Sequence, residues 1–229
     1  MDKGKIAVLI AGLTLCAMQP CYGAPAYGTK LPDKSELFIG GQTHRIFDRD
    51  LEDGHGEMSS VQHFLFLSYG LTDWFSLDLK GGAGDIEQQP ERGSEISYPA
   101  FVGGGYGFRF RIYDHQKAKA VFGFQHISIH PYSIKIGDTK HKAVLDDWQF
   151  SILGSYDVGG WTPYMGMKWS RTDYIHWVDT VRDRKRSDLG KSIGVIAGMD
   201  IPLNKKIWIN VEGQFLDVLA TAISLNFHF

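Results

Sequence analysis

From about residue 36 to residue 229 the chain alternates apolar and polar residues and never settles into a helical period. The alternation runs to the last residue. In "AISLNFHF", Ile223, Leu225, Phe227 and Phe229 share one face, and Ser224, Asn226 and His228 share the other. Strand side chains point to opposite faces in turn, so a period of two marks a strand whose two faces meet different surroundings. Chain ends are usually polar and frayed. A terminal aromatic kept in phase therefore needs a surface to lie against.

Ten segments carry the pattern, at about 36–47, 59–69, 74–84, 98–112, 118–130, 144–157, 161–176, 189–201, 206–215 and 220–229. Phe75, Leu77 and Leu79 oppose Ser76, Asp78 and Lys80; Tyr106, Phe108 and Phe110 oppose Gly107, Arg109 and Arg111. Trp148, Phe150 and Ile152 oppose Asp147, Gln149 and Ser151, and Ile207, Ile209 and Val211 oppose Asn210 and Glu212. Segments 59–69 and 118–130 alternate less cleanly, and their registers stay open. The connections alternate as well. "GLTD", "DHQK", "GG" and "LNKK" are tight and rich in turn residues. "DRDLEDGHGE", "DIEQQPERGSEIS", "PYSIKIGDTKHK" and "VDTVRDRKRSD" are long and charged, and only "LDVLA" breaks the rule. One end of the sheet is thus expected to carry turns and the other loops.

The first residues read differently. Lys3 and Lys5 precede the apolar run "IAVLIAGLTLCAM" and small residues follow, which is the plan of a cleaved secretory signal over residues 1–26. Cleavage after Gly23 is the alternative. The run is too short for the roughly 20 residues of a membrane-spanning helix. A lipoprotein signal ending at Cys16 is disfavoured by the bulk of Leu15. Both cysteines, Cys16 and Cys21, fall in the removed piece, so neither disulfides nor thiol chemistry are expected. Removal leaves 22 basic and 25 acidic residues, no electrostatic footprint for nucleic acid. Residues 27–35 form a polar periplasmic lead-in, and residues 36–229 the folded domain.

Slightly negative mean hydropathy excludes helical spans only, because barrel strands interleave polar and apolar residues. An exported lipocalin-like barrel shows the same alternation with the apolar face inward. Three features favour the membrane. Full charges stand mid-strand on the polar face among many glycines; Trp74, Tyr98, Trp148, Tyr156, Trp161 and Trp169 stand near strand ends, as an interfacial belt would; and the chain ends on Phe229.

"YGLTDWFSLDL" (Tyr69 to Leu79) resembles the strand–periplasmic turn–strand unit of small bacterial outer-membrane β-barrels. "TAISLNFHF" resembles the C-terminal signal read by the barrel-assembly machinery, here Ile223, Leu225, Phe227 and Phe229. The resemblance implies an all-β fold, a closed antiparallel transmembrane barrel of ten strands with eight as the alternative, in the cell outer membrane. It also implies contact with outer-membrane lipid and lipopolysaccharide, and with the assembly machinery during insertion. We expect a monomer without cofactor or metal.

In a barrel the charged polar-face residues Asp78, Lys80, Arg109, Arg111, Asp147, Lys168 and Glu212 share one lumen. A self-satisfying network that fills it is the first expectation, since buried charges need partners; a narrow passage for small solutes is the second. No catalytic activity is expected, with an outer-membrane protease or lipid A-modifying enzyme, its site at the extracellular rim, as the alternative. Candidates near the loop ends are Asp48, Asp50, His55, His126, His130, His141, Asp146, Asp147, Asp173, His176 and Asp179. Lipid A deacylases use a Ser–His pair on the outer barrel wall, and "FQHISIH" places Ser128 between His126 and His130. On a strand these three share a face, which the sequence leaves as lumen or lipid. His126 and His130 stand more than about 10 Å apart there, too far to share a metal. The runs "GGGYG" and "GGAG" open no helix and so offer no phosphate cradle.

Overall fold

The computed structural model describes residues 25, 27–52, 55–187 and 189–229; apart from Pro25, the signal segment lies outside the described residues. Twelve strands follow one another: β1 (Leu37–Asp50), β2 (Glu57–Thr72), β3 (Phe75–Gln89), β4 (Ile96–His115), β5 (Ala118–His130), β6 (Ile134–Ile136), β7 (Thr139–Tyr156), β8 (Thr162–Val178), β9 (Val181–Arg186), β10 (Ile193–Pro202), β11 (Ile207–Phe215) and β12 (Leu219–His228). Ten of them close a ring in the order β1-β2-β3-β4-β5-β7-β8-β10-β11-β12, every pairing antiparallel, with β12 returning to β1. Ten is therefore the strand count, not eight. Closure leaves no spanning strand with an unpaired edge, the condition for placing a sheet in lipid.

The two additional strands lie where loops were expected. β6 pairs the start of β7, and β9 pairs the upper part of β8 beyond the point where β10 leaves it. β7 and β8 have 18 and 17 residues. A tilted strand crosses the hydrocarbon core in roughly 9–11, so this part of the sheet extends beyond that core on the loop side. Leu189–Lys191, expected as the start of a strand, form a short 3-10 turn, and β10 begins at Ile193.

The connections β2–β3, β4–β5, β7–β8 and β10–β11 lie at one end, and both barrel termini join them: Phe229 N donates to Leu37 O at 2.9 Å and closes the seam. The apolar face points outward. Leu65, Leu79, Ile152, Met165 and Ile193 are all more than half exposed, while Gln42, Ser68, Asp78, Arg109, Gln149, Lys168, Asn210 and Glu212 are buried inside. The lipocalin alternative has the opposite arrangement. On β12, Ile223 and Leu225 face out and Ser224 and Asn226 face in.

The interior is not polar throughout. Its loop-end half holds an apolar cluster that includes Ile46, Met58, Ile86, Tyr98, Ile129, Leu145 and Tyr174. This cluster explains the two unclear segments. Phe64 and Phe66 on β2, and Val121, Ile127 and Ile129 on β5, point inward, so both faces of these strands are apolar in places. The glycine runs serve close approach: a Cβ on Gly82 would run into the carbonyl oxygen of His63, and one on Gly103 into the side chain of Ile129.

Candidate functional site on the outer barrel wall

The lumen is crossed by paired polar side chains. Asp78 and Arg109 form a bidentate pair, with Nε and Nη2 of Arg109 donating at 2.8 and 3.0 Å. Arg109 also donates to Ser68 Oγ and, through Nη1, to the carbonyl of Lys30 at 2.9 Å. The other residues of the expected network go elsewhere. Lys80 donates to Gln125, Asp147 accepts from Thr172, and Glu212 accepts from Tyr164. Lys168 meets Asp217 at 2.9 Å. Arg111 sits at the turn-end rim, against Asp33 and Asp114 at 3.4 Å. Among the described residues, Asp78–Arg109 is the one direct ion pair within the expected set.

Arg49 and Asp217 were missed from the sequence. Asp217 accepts from Arg49 at 3.1 Å and from Ser170 at 2.6 Å, beside Lys168. Strict alternation along β1 would turn Arg49 outward with Arg45 and Phe47. A register shift after Ile46 reverses the phase and buries it at 2% exposure.

Of residues 27–35, read as a periplasmic lead-in, 27–32 turn into the barrel and 33–35 are exposed at its turn-end rim. Tyr27 stacks on Phe66 at 4.2 Å with the Lys80 ammonium 4.2 Å from its ring, and Thr29 bonds Ser155 at 2.5 Å. Gln125 donates to the carbonyl of Pro25, and the Lys30 ammonium lies 3.8 Å from the Trp208 ring centroid. The space left among Tyr27, Lys30, Phe66, Arg109 and Trp208 is a cavity of about 10 Å³, barely one water. The buried apolar cluster occupies the loop-end half above it. The full chain in planar bilayers is expected to give no conductance steps at any voltage; regular steps would show that the plug leaves.

Chemistry-bearing residues converge instead on the outside. In β5 Val121, Gly123, Gln125, Ile127 and Ile129 are buried on the inner face and Phe124, of the other parity, is covered by Trp148 and Phe150 of the outer wall, so His126, Ser128 and His130 face outward. Ser128 is paired across the sheet with Asp146 of β7, and its Oγ donates to Asp146 Oδ1. His130 Nε2 stands 2.9 Å from the same Oγ, and His126 Nε2 stands 4.0 Å from Asp146 Oδ1. A hydroxyl, two imidazoles and a carboxylate thus meet near the loop end of the wall. They meet because antiparallel register puts paired residues on one side of the sheet and alternate residues of one strand on the same face.

The level of this cluster matters. Directly beneath Ser128 in β5, the His126 ring lies 4.0 Å from Trp148 and 5.3 Å from Tyr106, and Trp148 in turn neighbours Phe124. Outward Trp and Tyr of a membrane barrel mark the interface, where lipid headgroups meet acyl chains. On the other side of Ser128 the row passes two glycines before it reaches the exposed Leu65 of β2. Gly104 of β4 is the pair of Ser128, Gly81 of β3 is next in the row, and space beside Gly81 is open. The approach to Ser128 from this side is lined by two glycines and bordered by the exposed Val102 and Tyr106 of β4.

No protein-family model matches the chain, and no curated protein matches it. Several solved structures are similar. The translocator domain of the autotransporter NalP from Neisseria meningitidis matches at 11% identity over 100% of this chain and 97% of its own, with a TM-score of 0.48. The transport unit of the autotransporter AIDA-I from Escherichia coli matches at 11% identity over 95% of each chain, TM-score 0.48. The attachment invasion locus protein Ail of Yersinia pestis matches at 9% identity over 86% of this chain and 99% of its own, TM-score 0.43. The closed ring, outward apolar wall and turn–loop asymmetry described above are by themselves those of an outer-membrane β-barrel.

Proposed function

We propose that this barrel is a hydrolase of acyl esters in the outer leaflet of the outer membrane, with Ser128 as the nucleophile. This departs from the sequence expectation of a non-catalytic protein. The observation that carries it is the meeting of Ser128, His130 and Asp146 on the lipid side, at the level of the interfacial aromatics. Ester carbonyls of membrane lipids lie at that depth. The filled lumen speaks against solute passage as the function, and a structural role is the second reading.

Ser128 has one hydroxyl proton. At rest it goes to Asp146, which holds Oγ in place; with His130 Nε2 unprotonated, the same hydroxyl turns 2.9 Å away to the imidazole. Attack by Oγ on an ester carbonyl forms the Oγ–acyl bond while the proton passes to His130 Nε2. The ester C–O bond then breaks and the imidazolium returns the proton to the leaving alcohol. Water repeats the sequence and frees the acid. Asp146 faces both Ser128 and His126 and positions the pair. Lipopolysaccharide and glycerophospholipids both supply such esters. The test is fatty-acid release from mixed micelles of each by the purified full chain. No release from either, by a protein of native gel mobility, refutes the reading.

Export by a cleaved signal, recognition by the barrel-assembly machinery and a monomeric state complete the proposal. Phe229 is 67% exposed within the chain, so its ring adds little to the fold itself. Deleting it is expected to lower insertion in cells severalfold or more while leaving refolding yield in detergent within about twofold. Equal losses in both assays would reduce Phe229 to a packing residue.

A further inference from the structure

From the Ser128 row upward, the outward face of the raised sheet is basic. It carries Lys135 on β6, Lys140 and Lys142 on β7, and Arg182, Arg184 and Arg186 on β9, all of them exposed. The three arginines stand at alternate positions of one strand, so they form a comb with teeth roughly 7 Å apart. Lys135 and Lys140 are paired directly across β6 and β7. Like charges in that position destabilise a sheet, and an anion between them removes the cost.

Acidic groups meet part of this charge: Asp146 and Glu52 lie near Arg184, and Asp179 Oδ1 accepts from the backbone N–H of Lys140 at 2.9 Å. Asp173 takes Arg184 in direct contact and Arg186 at 3.9 Å. Lys142 and Arg182 flank the Trp177 ring at 5.1 and 5.6 Å. Asp183 and Lys185 belong to the opposite face, paired with His176 and Tyr174. The comb also shares its register with the proposed nucleophile: Arg186 pairs Asp173, Asp173 pairs Asp146, and Asp146 pairs Ser128. Three strand spacings separate Arg186 from Ser128, roughly 14 Å, which an arginine side chain and a lipid headgroup together span.

We infer that Arg182, Arg184, Arg186 and the lysines beside them bind the anionic phosphate headgroup of an outer-leaflet lipid and so present that lipid's ester to Ser128. The substrate class is then a phosphate-bearing lipid of net negative charge. Guanidinium groups suit it because they pair phosphate oxygens two at a time. The inference rests on the hydrolase reading for its purpose, but binding can be measured without turnover.

The experiment uses the full chain in detergent carrying Ser128→Ala, with phosphatidylglycerol and phosphatidylcholine of identical chains offered in mixed micelles and bound lipid counted by native mass spectrometry. About tenfold preference for phosphatidylglycerol is expected. Lys142→Gln with Arg182→Gln, which leaves both ion pairs of Asp173 in place, should cut the preference at least threefold; adding Arg184→Gln, Arg186→Gln and Asp173→Asn should abolish it. Equal retention of the two lipids by the unmodified face overturns the inference. So does displacement of bound lipid by millimolar inorganic phosphate with no lipid preference, which would mark a free-anion site. Selective binding without fatty-acid release by the Ser128 protein would sink the hydrolase reading alone. Release from both lipids at equal kcat/KM without selective binding would sink the headgroup site alone.

Discussion

Ser128→Ala is expected to lower fatty-acid release by about three orders of magnitude or more, the scale seen when a serine nucleophile is removed from an assembled site. The barrel should survive the change, because Ser128 faces outward and its hydroxyl supports no buried group. His130→Ala should cost about 10²–10⁴ in turnover, as loss of a general base does. Asp146→Asn retains a hydrogen-bond acceptor for Ser128, so a smaller loss, on the order of tenfold, is expected. His126→Ala separates two assignments. If it leaves turnover within about tenfold, His130 is the base, as its 2.9 Å contact with Oγ implies. If it is as damaging as His130→Ala, the proton passes through His126, now 4.0 Å from Asp146, after the site tightens around lipid. Heat-modifiable gel mobility, read on each variant, keeps loss of chemistry distinct from loss of fold.

Removing Arg109 should be the most damaging single change to stability. Its guanidinium is 1% exposed, and it serves Asp78, Ser68 and the carbonyl of Lys30 together. Arg109→Met leaves the Asp78 carboxylate buried without its counter-ion, and breaking a buried pair from one side costs about 3–5 kcal/mol. The same loss releases residues 27–35 at Lys30, so protease sensitivity of that segment should rise with it. The double variant Asp78→Leu with Arg109→Met is expected to recover most of the lost stability, because no charge is then orphaned. Urea unfolding followed by tryptophan fluorescence measures both. If the single variant unfolds within about 1 kcal/mol of the parent, the pair is solvated in the membrane and the lumen is wetter than its geometry indicates.

How far the sequence could be read varies by residue. Phe75, Leu77 and Leu79 against Ser76, Asp78 and Lys80 announce their faces, because lipid outside and polar partners inside impose a strict period of two. Phe64, Phe66, Ile127 and Ile129 obscured it, because an apolar plug in the loop-end half of the lumen rewards apolar residues on the inner face as well. Arg49 was hidden by the register shift after Ile46, which local sequence does not mark. β6 and β9 read as loop from sequence: the alternation in "SIKIG" is only three residues long, "TVRDRKR" has a single apolar residue, and their pairing depends on β7 and β8 being long enough to carry them. His126, Ser128, His130 and Asp146 were all legible as candidates. Their meeting was not, since 18 residues and a protruding hairpin turn separate Ser128 from Asp146.

The sequence by itself determined a ten-segment antiparallel sheet, its turn end and loop end, and the phase of most strands, because side-chain alternation is a local property fixed two residues at a time. Only the tertiary structure decided which face met lipid and what filled the lumen. Closure brought residues 27–32 against Arg109 and Tyr164, and cross-strand register set Ser128 beside Asp146 and in line with Arg186. Register is a relation between distant segments: one residue of slip turns every side chain to the other face, and no single strand contains that information.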